Sequence, residues 1–166
     1  VVECGECALI RLDPMPTPAE LAAFYPDTYW WEADATASGR LSEIYRQLVL
    51  ADHAHFVSHS LGSGSLLLDI GCGGGSFARA IGKRGITAVG VDAAQRAAAQ
   101  ALRRHNVEAV QGAAPNLPFV PHSFEAVTMF HILEHVEDPV ECLLGAREML
   151  KPGGRLYVQV PNAACW

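Results

Sequence analysis

The chain has 166 residues, half of them hydrophobic, and a formal net charge of −6. That length suits one domain with a sizeable core, and the apolar content excludes wholesale disorder. The mild acidity offers no electrostatic footprint for DNA or RNA, and no apolar run approaches the roughly 18 residues that suggest a membrane span. Five cysteines, scattered and odd in number, argue against a disulfide framework. Without a charged-then-apolar leader, the default location is the cytoplasm.

The first residues contain Cys4-Gly5-Glu6-Cys7, a C-x-x-C knuckle. Tetrahedral zinc takes four ligands and one pair supplies two, so zinc here requires a partner pair outside this chain. A redox role is weaker, because no helix N-terminus follows to lower a thiol pKa. Asp13-Pro14-Met15-Pro16-Thr17-Pro18 is an extended approach, and Thr17-Pro18-x-Glu20 starts a short helix. Phe24, Tyr25, Tyr29, Trp30 and Trp31 place five aromatics within eight residues, either packed on the main domain or serving as a lid.

Residues 32–39 are small and polar and read as a link. From Leu41 to Leu61 apolar residues recur at helical spacing: Leu41, Ile44, Tyr45, Leu48 and Val49, then Phe56 and Val57. His53, His55 and His59 fall on this helix. His55 and His59 are an i, i+4 pair without the Glu of a zinc-protease helix, so the three are assigned to a solvated face.

Leu66-Leu67-Leu68-Asp69-Ile70 is an apolar run too short for a helix, and Gly71-Cys72-Gly73-Gly74-Gly75 follows it. This is a buried strand, a tight nucleotide-type turn and a helix start. A phosphate-binding P-loop fails, since the one Gly-Lys pair, Gly82-Lys83, is followed by Arg84. A dinucleotide fingerprint from Gly71 and Gly73 meets Ser76 at its third glycine; from Gly73 and Gly75 it meets Ala78, which leaves that reading weakened but open.

A helix from Phe77 to Arg84 is closed by Gly85. The second strand, Thr87 to Asp92, ends in an acid 23 positions beyond Asp69. Its two carboxylate oxygens suit the two donors of a ribose cis-diol; Asp92 can also cap a helix from Ala93 to His105, and the two roles can coexist. Further strands are read at 106–111, 124–130 and 156–162, with a helix from Val140 to Leu150 and a turn at 151–155. His131, Glu134 and His135 lie after the fourth strand, at the sheet edge where open α/β folds bind ligands. Strand and helix alternate five times, which implies a parallel sheet with helices on both faces.

Together these segments resemble the class I S-adenosyl-L-methionine-dependent methyltransferases. Asp69-Ile70-Gly71-Cys72-Gly73 is similar to motif I and Val89-Gly90-Val91-Asp92 to the ribose-binding strand. Leu117-Pro118-Phe119 with Ser123-Phe124-Glu125 looks like motif II, and Leu150-Lys151-Pro152-Gly153-Gly154 like motif III. The match runs from about Leu41 to Asn162, and the leader resembles a subgroup with an N-terminal cysteine knuckle whose members often act on small molecules or sugars. The resemblance divides the chain into an N-terminal extension, 1–40, and a cofactor-binding domain, 41–166. It implies a Rossmann-like open, mostly parallel sheet of which five strands are present.

It also implies S-adenosyl-L-methionine as cofactor, with contacts from Asp69, Gly71, Cys72, Gly73, Gly75, Asp92, Ala93, Ala113, Ala114, Phe130 and His131. Two positions depart from the pattern: Ala113 and Ala114 stand where an acid usually follows the third strand's glycine, and Glu125 replaces Asp. Methyl transfer from a sulfonium asks the protein to position two reactants and take a proton from a hydroxyl acceptor. His135 is the expected base, with Glu134 and His131 beside it and no resident metal; O-methylation of a small molecule is the expected activity. The rivals are a cofactor-binding domain without turnover and an NAD oxidoreductase. The resembling fold continues past its fifth strand, so Leu156 to Val160 is expected to be a bare edge open to pairing with a second copy.

Overall fold

The computed structural model describes residues 1–8, 10–14, 16–17, 20 and 37–162. Val1–Glu32 and Ala33–Trp166 form two compact units. In the first, β1 (Val2–Glu3) pairs antiparallel with β2 (Ile10–Arg11). The knuckle is the turn between them, closed by the Ala8 N–H donating to the Cys4 carbonyl at 2.9 Å. Thr17 donates from N and Oγ1 to the Glu20 carboxylate, and Glu20 N donates back to Thr17 Oγ1 at 3.3 Å. That reciprocal pair is a capping box, and Glu20 is helical, as the Thr-Pro-x-Glu pattern requires. The aromatic cluster of residues 24–31 lies outside the described residues.

The second unit begins with α1 (Ala37–Ser58). Ala37–Gly39, read as link, are its first turn, because apolar spacing marks only the part of a helix that packs. The packed face matches the expected one only in part, at Val57. Ala54 and Val57 are buried with Leu50 beside them, whereas Ile44, Tyr45, Leu48 and Phe56 are exposed. Past Ser58 the chain tightens into i−3 bonds from Ser60 to Val57 and Leu61 to Ser58, ending the helix before Leu61.

Five strands form one sheet: β3 (Leu66–Ile70), β4 (Thr87–Asp92), β5 (Ala109–Gln111), β6 (Phe124–Phe130) and β7 (Leu150–Gln159). Their order is β5-β4-β3-β6-β7, and all four pairings are parallel. The connecting helices are α2 (Ser76–Gly82), α3 (Gln95–His105) and α4 (Pro139–Met149). Side chains alternate between two cores, as a strand's two-residue period demands. Leu67 and Ala126 face α1 and α2, while Leu68, Ile70, Val91, Val127 and Met129 face α4. This is the expected parallel sheet covered on both sides.

Two strands differ from expectation. β5 starts at Ala109, because Asn106 caps α3 in the left-handed region and Val107 turns into the contact with Ala78 and Ala101. Residues 151–154 are a bulge within β7 rather than part of a turn before it: Leu150 pairs with Phe124 and Arg155 with Ala126. Glu125, opposite that bulge, accepts from Leu66 N at 2.7 Å and pairs with Lys151, which ties β3, β6 and β7 together.

Chain order sends β4 and β5 to one side of β3, and β6 and β7 to the other. The connections after β3 and β6 therefore diverge and leave a crevice at their C-terminal ends, where ligands of open α/β sheets bind.

Candidate functional site

The glycine turn lines that crevice. Gly71 N and Cys72 N both donate to the Val91 carbonyl, at 2.8 and 3.1 Å, so the turn folds back onto β4. Gly71, Gly73 and Gly75 all have positive φ, at 73°, 51° and 78°. At Gly71 a Cβ would come within 1.9 Å of Ile132 Cδ1, and at Gly75 within 2.8 Å of Ala101 Cβ. Gly71 and Gly75 meet both a backbone need and a close approach, and Gly73 the backbone need.

Asp92 holds the turn from below. Its Oδ2 accepts from Gly73 N and its Oδ1 from Ala94 N, both at 2.9 Å. The sequence allowed ribose binding and helix capping together; the N-cap of α3 proves to be Ala94, with Asp92 supporting it from two residues back. That shift is why α3 starts at Gln95 and not Ala93. Each Asp92 oxygen uses one of two acceptor positions on the backbone, and the second acceptor position on each remains for a pair of donors such as a cis-diol. Burial raises the Asp92 pKa, against the two backbone N–H bonds that lower it.

Asp69 lies one layer deeper. It is buried, and its Oδ1 accepts from Thr128 Oγ1 at 2.7 Å, across the β3–β6 register pair Asp69 with Thr128. Burial above all, with the nearby Asp92 charge, pushes the Asp69 carboxyl up to about 7. It supports the strand end and contributes no exposed contact surface. Cys72 is likewise buried, and burial pushes its thiol up, so it is no nucleophile.

Other expected positions gather at the same edge. Ala93 follows β4 and is exposed; its carbonyl accepts from Gln111 Nε2 at 3.1 Å. Gly112 N donates to the Asp92 carbonyl at 2.9 Å, which brings exposed Ala113 beside that strand end. Ala114 is turned instead into the α4-side core. Phe130 ends β6 and meets Phe77 edge to face at 4.8 Å.

After β6 the chain enters the left-handed region at His131, φ 58°, whose N–H donates to the Gln159 carbonyl at 2.9 Å. A short 3₁₀ turn, Leu133–His135, follows. Glu134 Oε1 lies 3.3 Å from His131 Nδ1 and 3.9 Å from His135 Nε2, so one carboxylate gathers both imidazoles.

Sequence reasoning did not single out Thr128 or Ile132. The first was legible only as a polar residue in an apolar strand. His53 is a correction: it is half-buried against Phe130, with ring centroids 5.0 Å apart, and not on a solvated face. It shares the helix face of Leu50, Ala54 and Val57, which packs on the sheet. His55 and His59 are exposed and stack on each other at 4.7 Å. Among the described residues no three His, Cys, Asp or Glu side chains are placed to hold a metal. In the N-terminal unit Cys4 and Cys7 are exposed, and backbone N–H groups of Glu6 and Cys7 hold the Cys4 thiol below its ordinary value.

Fold and site define an open α/β, nucleotide-type ligand binder with its crevice between β3 and β6. A family model described as a methyltransferase domain matches residues 68–158, and the chain belongs to that family. It is 30% identical over 158 residues to a ubiquinone biosynthesis O-methyltransferase of Albidiferax ferrireducens, covering 87% of this chain and 59% of the relative. A protein of the same name from Xylella fastidiosa is 31% identical over 160 residues, covering 77% of this chain and 65% of the relative. The chain thus spans less than two thirds of these curated relatives. Among solved structures, a methyltransferase from Thermotoga maritima, described as a possible histamine N-methyltransferase, is 31% identical with a TM-score of 0.55. That match covers 71% of this chain and 56% of that one. A methyltransferase structure from Methanococcus maripaludis, 19% identical with a TM-score of 0.63, covers 77% and 64% and shares the fold. The cofactor of this family is S-adenosyl-L-methionine, and the glycine turn and buried Asp92 fit it. No helix of the described residues is long and apolar enough to cross a membrane.

Proposed function

We propose that this chain transfers a methyl group from S-adenosyl-L-methionine to a hydroxyl of a small-molecule acceptor. The observation that carries the reading is the Asp92 carboxylate, fixed by Gly73 N and Ala94 N beneath the glycine turn. It offers two acceptor oxygens at the crevice between β3 and β6. Gly71, Gly73 and Gly75 would take the amino-acid part of the cofactor along their main chain, and Asp92 and Ala93 its ribose. Exposed Ala113 would leave the adenine amino group to backbone partners, while Cys72, Asp69 and Phe130 support the walls. When bound, the cofactor supplies an activated methyl on a positively charged sulfur.

The protein's own task is then to place the acceptor in line and manage its proton. On the acceptor side stand His131, Glu134 and His135, with Glu134 orienting the two imidazoles. The O-methyltransferase names of the curated relatives support a hydroxyl acceptor. A contact between copies along β7 belongs to the same proposal: β7 is the outer strand among the described residues, with Val158 exposed on it and Val160 exposed just after it.

Isothermal titration with S-adenosyl-L-methionine, its demethylated product and NAD tests the cofactor half. Micromolar binding of the first two and none of NAD is the expected result. Turnover against a panel of hydroxylated acceptors tests the other half, and separates methyl transfer from cofactor binding alone. Light scattering over a concentration series tests the β7 contact, which a monomer at high concentration refutes.

A further inference from the structure

The rim of the crevice has a fourth titratable side chain, delivered by α1 rather than by a strand end. His53 rests its ring on Phe130, the last residue of β6, at 5.0 Å and 40°. Phe130 in turn meets Phe77, the second residue of α2, at 4.8 Å and 85°. Two ring contacts therefore join His53 to the helix that opens from the glycine turn. Among the described residues neither nitrogen of His53 makes a hydrogen bond, whereas His131 is paired with Glu134 and His135 lies against the same carboxylate.

We infer that His53 is the base that takes the acceptor's hydroxyl proton, while His131, Glu134 and His135 form the polar wall that orients the acceptor. This rests on the methyl-transfer reading above. In the step, the oxygen–methyl bond forms as the methyl–sulfur bond breaks, and the breaking pair stays on sulfur. The hydroxyl proton passes to an unprotonated nitrogen of His53 and from there to solvent.

A general base has to be unprotonated at the working pH. The titratable groups that face His53 are Asp52 on its own helix and His131 from the segment after β6. Burial is the largest influence and lowers its pKa; Asp52 opposes that and His131 adds to it. The balance falls below the ordinary histidine value, which keeps the ring neutral near pH 7. His55 and His59 cannot serve in its place, since they are exposed and His55 lies against Arg84.

The test uses the full chain with S-adenosyl-L-methionine and catechol as the hydroxylated acceptor, comparing His53→Gln, His53→Phe and His135→Ala. Loss of a general base lowers turnover by about 100-fold or more, so both His53 variants should lose at least that much. Cofactor affinity should stay within twofold. The acid limb of the wild-type pH profile, where rate falls as His53 becomes protonated, should vanish in His53→Gln. His53→Phe keeps a ring on Phe130, so wild-type turnover in that variant would reduce His53 to packing and overturn the inference. A loss confined to His135→Ala would overturn it too. Independently of turnover, the His53 ring followed by NMR in cofactor-free protein should titrate below ordinary histidine and move upward in His131→Gln. Titration at the ordinary value, insensitive to position 131, refutes the assignment. Cofactor binding with no methylation of any hydroxylated acceptor would instead bring down the methyl-transfer reading, and this inference with it.

Discussion

Two connections leave the same edge of the sheet, and they are built in opposite ways. The one after β3 is held almost wholly by backbone: Gly71 and Cys72 on the Val91 carbonyl, Gly73 on Asp92, Gly75 N on the Cys72 carbonyl. Its two acids are buried. The one after β6 has two backbone bonds, His131 N to the Gln159 carbonyl and His135 N to the Ile132 carbonyl, and presents side chains around a single carboxylate. A turn built from main chain recognises a ligand of fixed shape, and a rim built from side chains can vary with the acceptor. The contrast matches the proposed division between a constant cofactor and a variable substrate.

The largest way to break this contrast is to remove the buried charge under the glycine turn. Asp69 has a folded pKa of about 7 against 3.8 ordinarily, so the folded state binds more protons than the unfolded one between those values. Stability from this group is therefore lost as pH rises from about 4 to 7, on the order of 4 kcal/mol in all. Asp69→Asn should flatten that slope in denaturant titrations across pH; an unchanged slope places the proton elsewhere. Next comes Asp92→Ala, which should weaken S-adenosyl-L-methionine binding by about 1.5–3 kcal/mol, the usual loss for hydrogen bonds to a charged group. Calorimetry on the folded variant decides it, and unchanged affinity would sink the ribose assignment.

Gly71→Ala probes the main chain itself. Its φ of 73° and the Ile132 side chain in the way should cost roughly 1–3 kcal/mol of stability, read as a drop in melting temperature. Ala113→Asp sharpens the comparison by adding a side-chain contact to a site otherwise made of backbone. A charge-assisted bond to the adenine amino group should tighten cofactor binding by about 1 kcal/mol; no gain would show that the loop after β5 lies away from adenine. The smallest effect belongs to the rim. Glu134→Gln should change stability by less than about 1 kcal/mol, because its imidazole partners are half exposed, and should leave cofactor affinity alone. A fall in affinity there would mean that the two connections are not independent.

Much of this was legible in the sequence, for a local reason. Apolar runs of strand length, glycines where φ is positive and acids at strand ends are fixed by backbone geometry and burial, which act over a few residues. They announced the alternation of strand and helix, the turn after β3 and the place of Asp92. Even the role of Glu125 as a structural acid could be anticipated from its motif. The glycine pattern alone still left a dinucleotide in play, because two ligand classes ask for nearly the same turn.

What the tertiary structure decided depends on neighbours far apart in the chain. Thr128 meets Asp69 only because β6 pairs with β3 in one register. The segment 151–154 bulges within a strand, and does not precede it, because β7 already pairs with β6 at Leu150 and Lys151 meets Glu125 across the two strands. The apolar stripe on α1 pointed to Ile44, Tyr45 and Leu48 along with Val57, yet the helix packs through Leu50, Ala54 and Val57. Periodicity shows that a helix has an apolar face; docking against the sheet selects the face that is buried. That selection turned His53 from a solvated position toward Phe130, and no pattern within the helix could have revealed it.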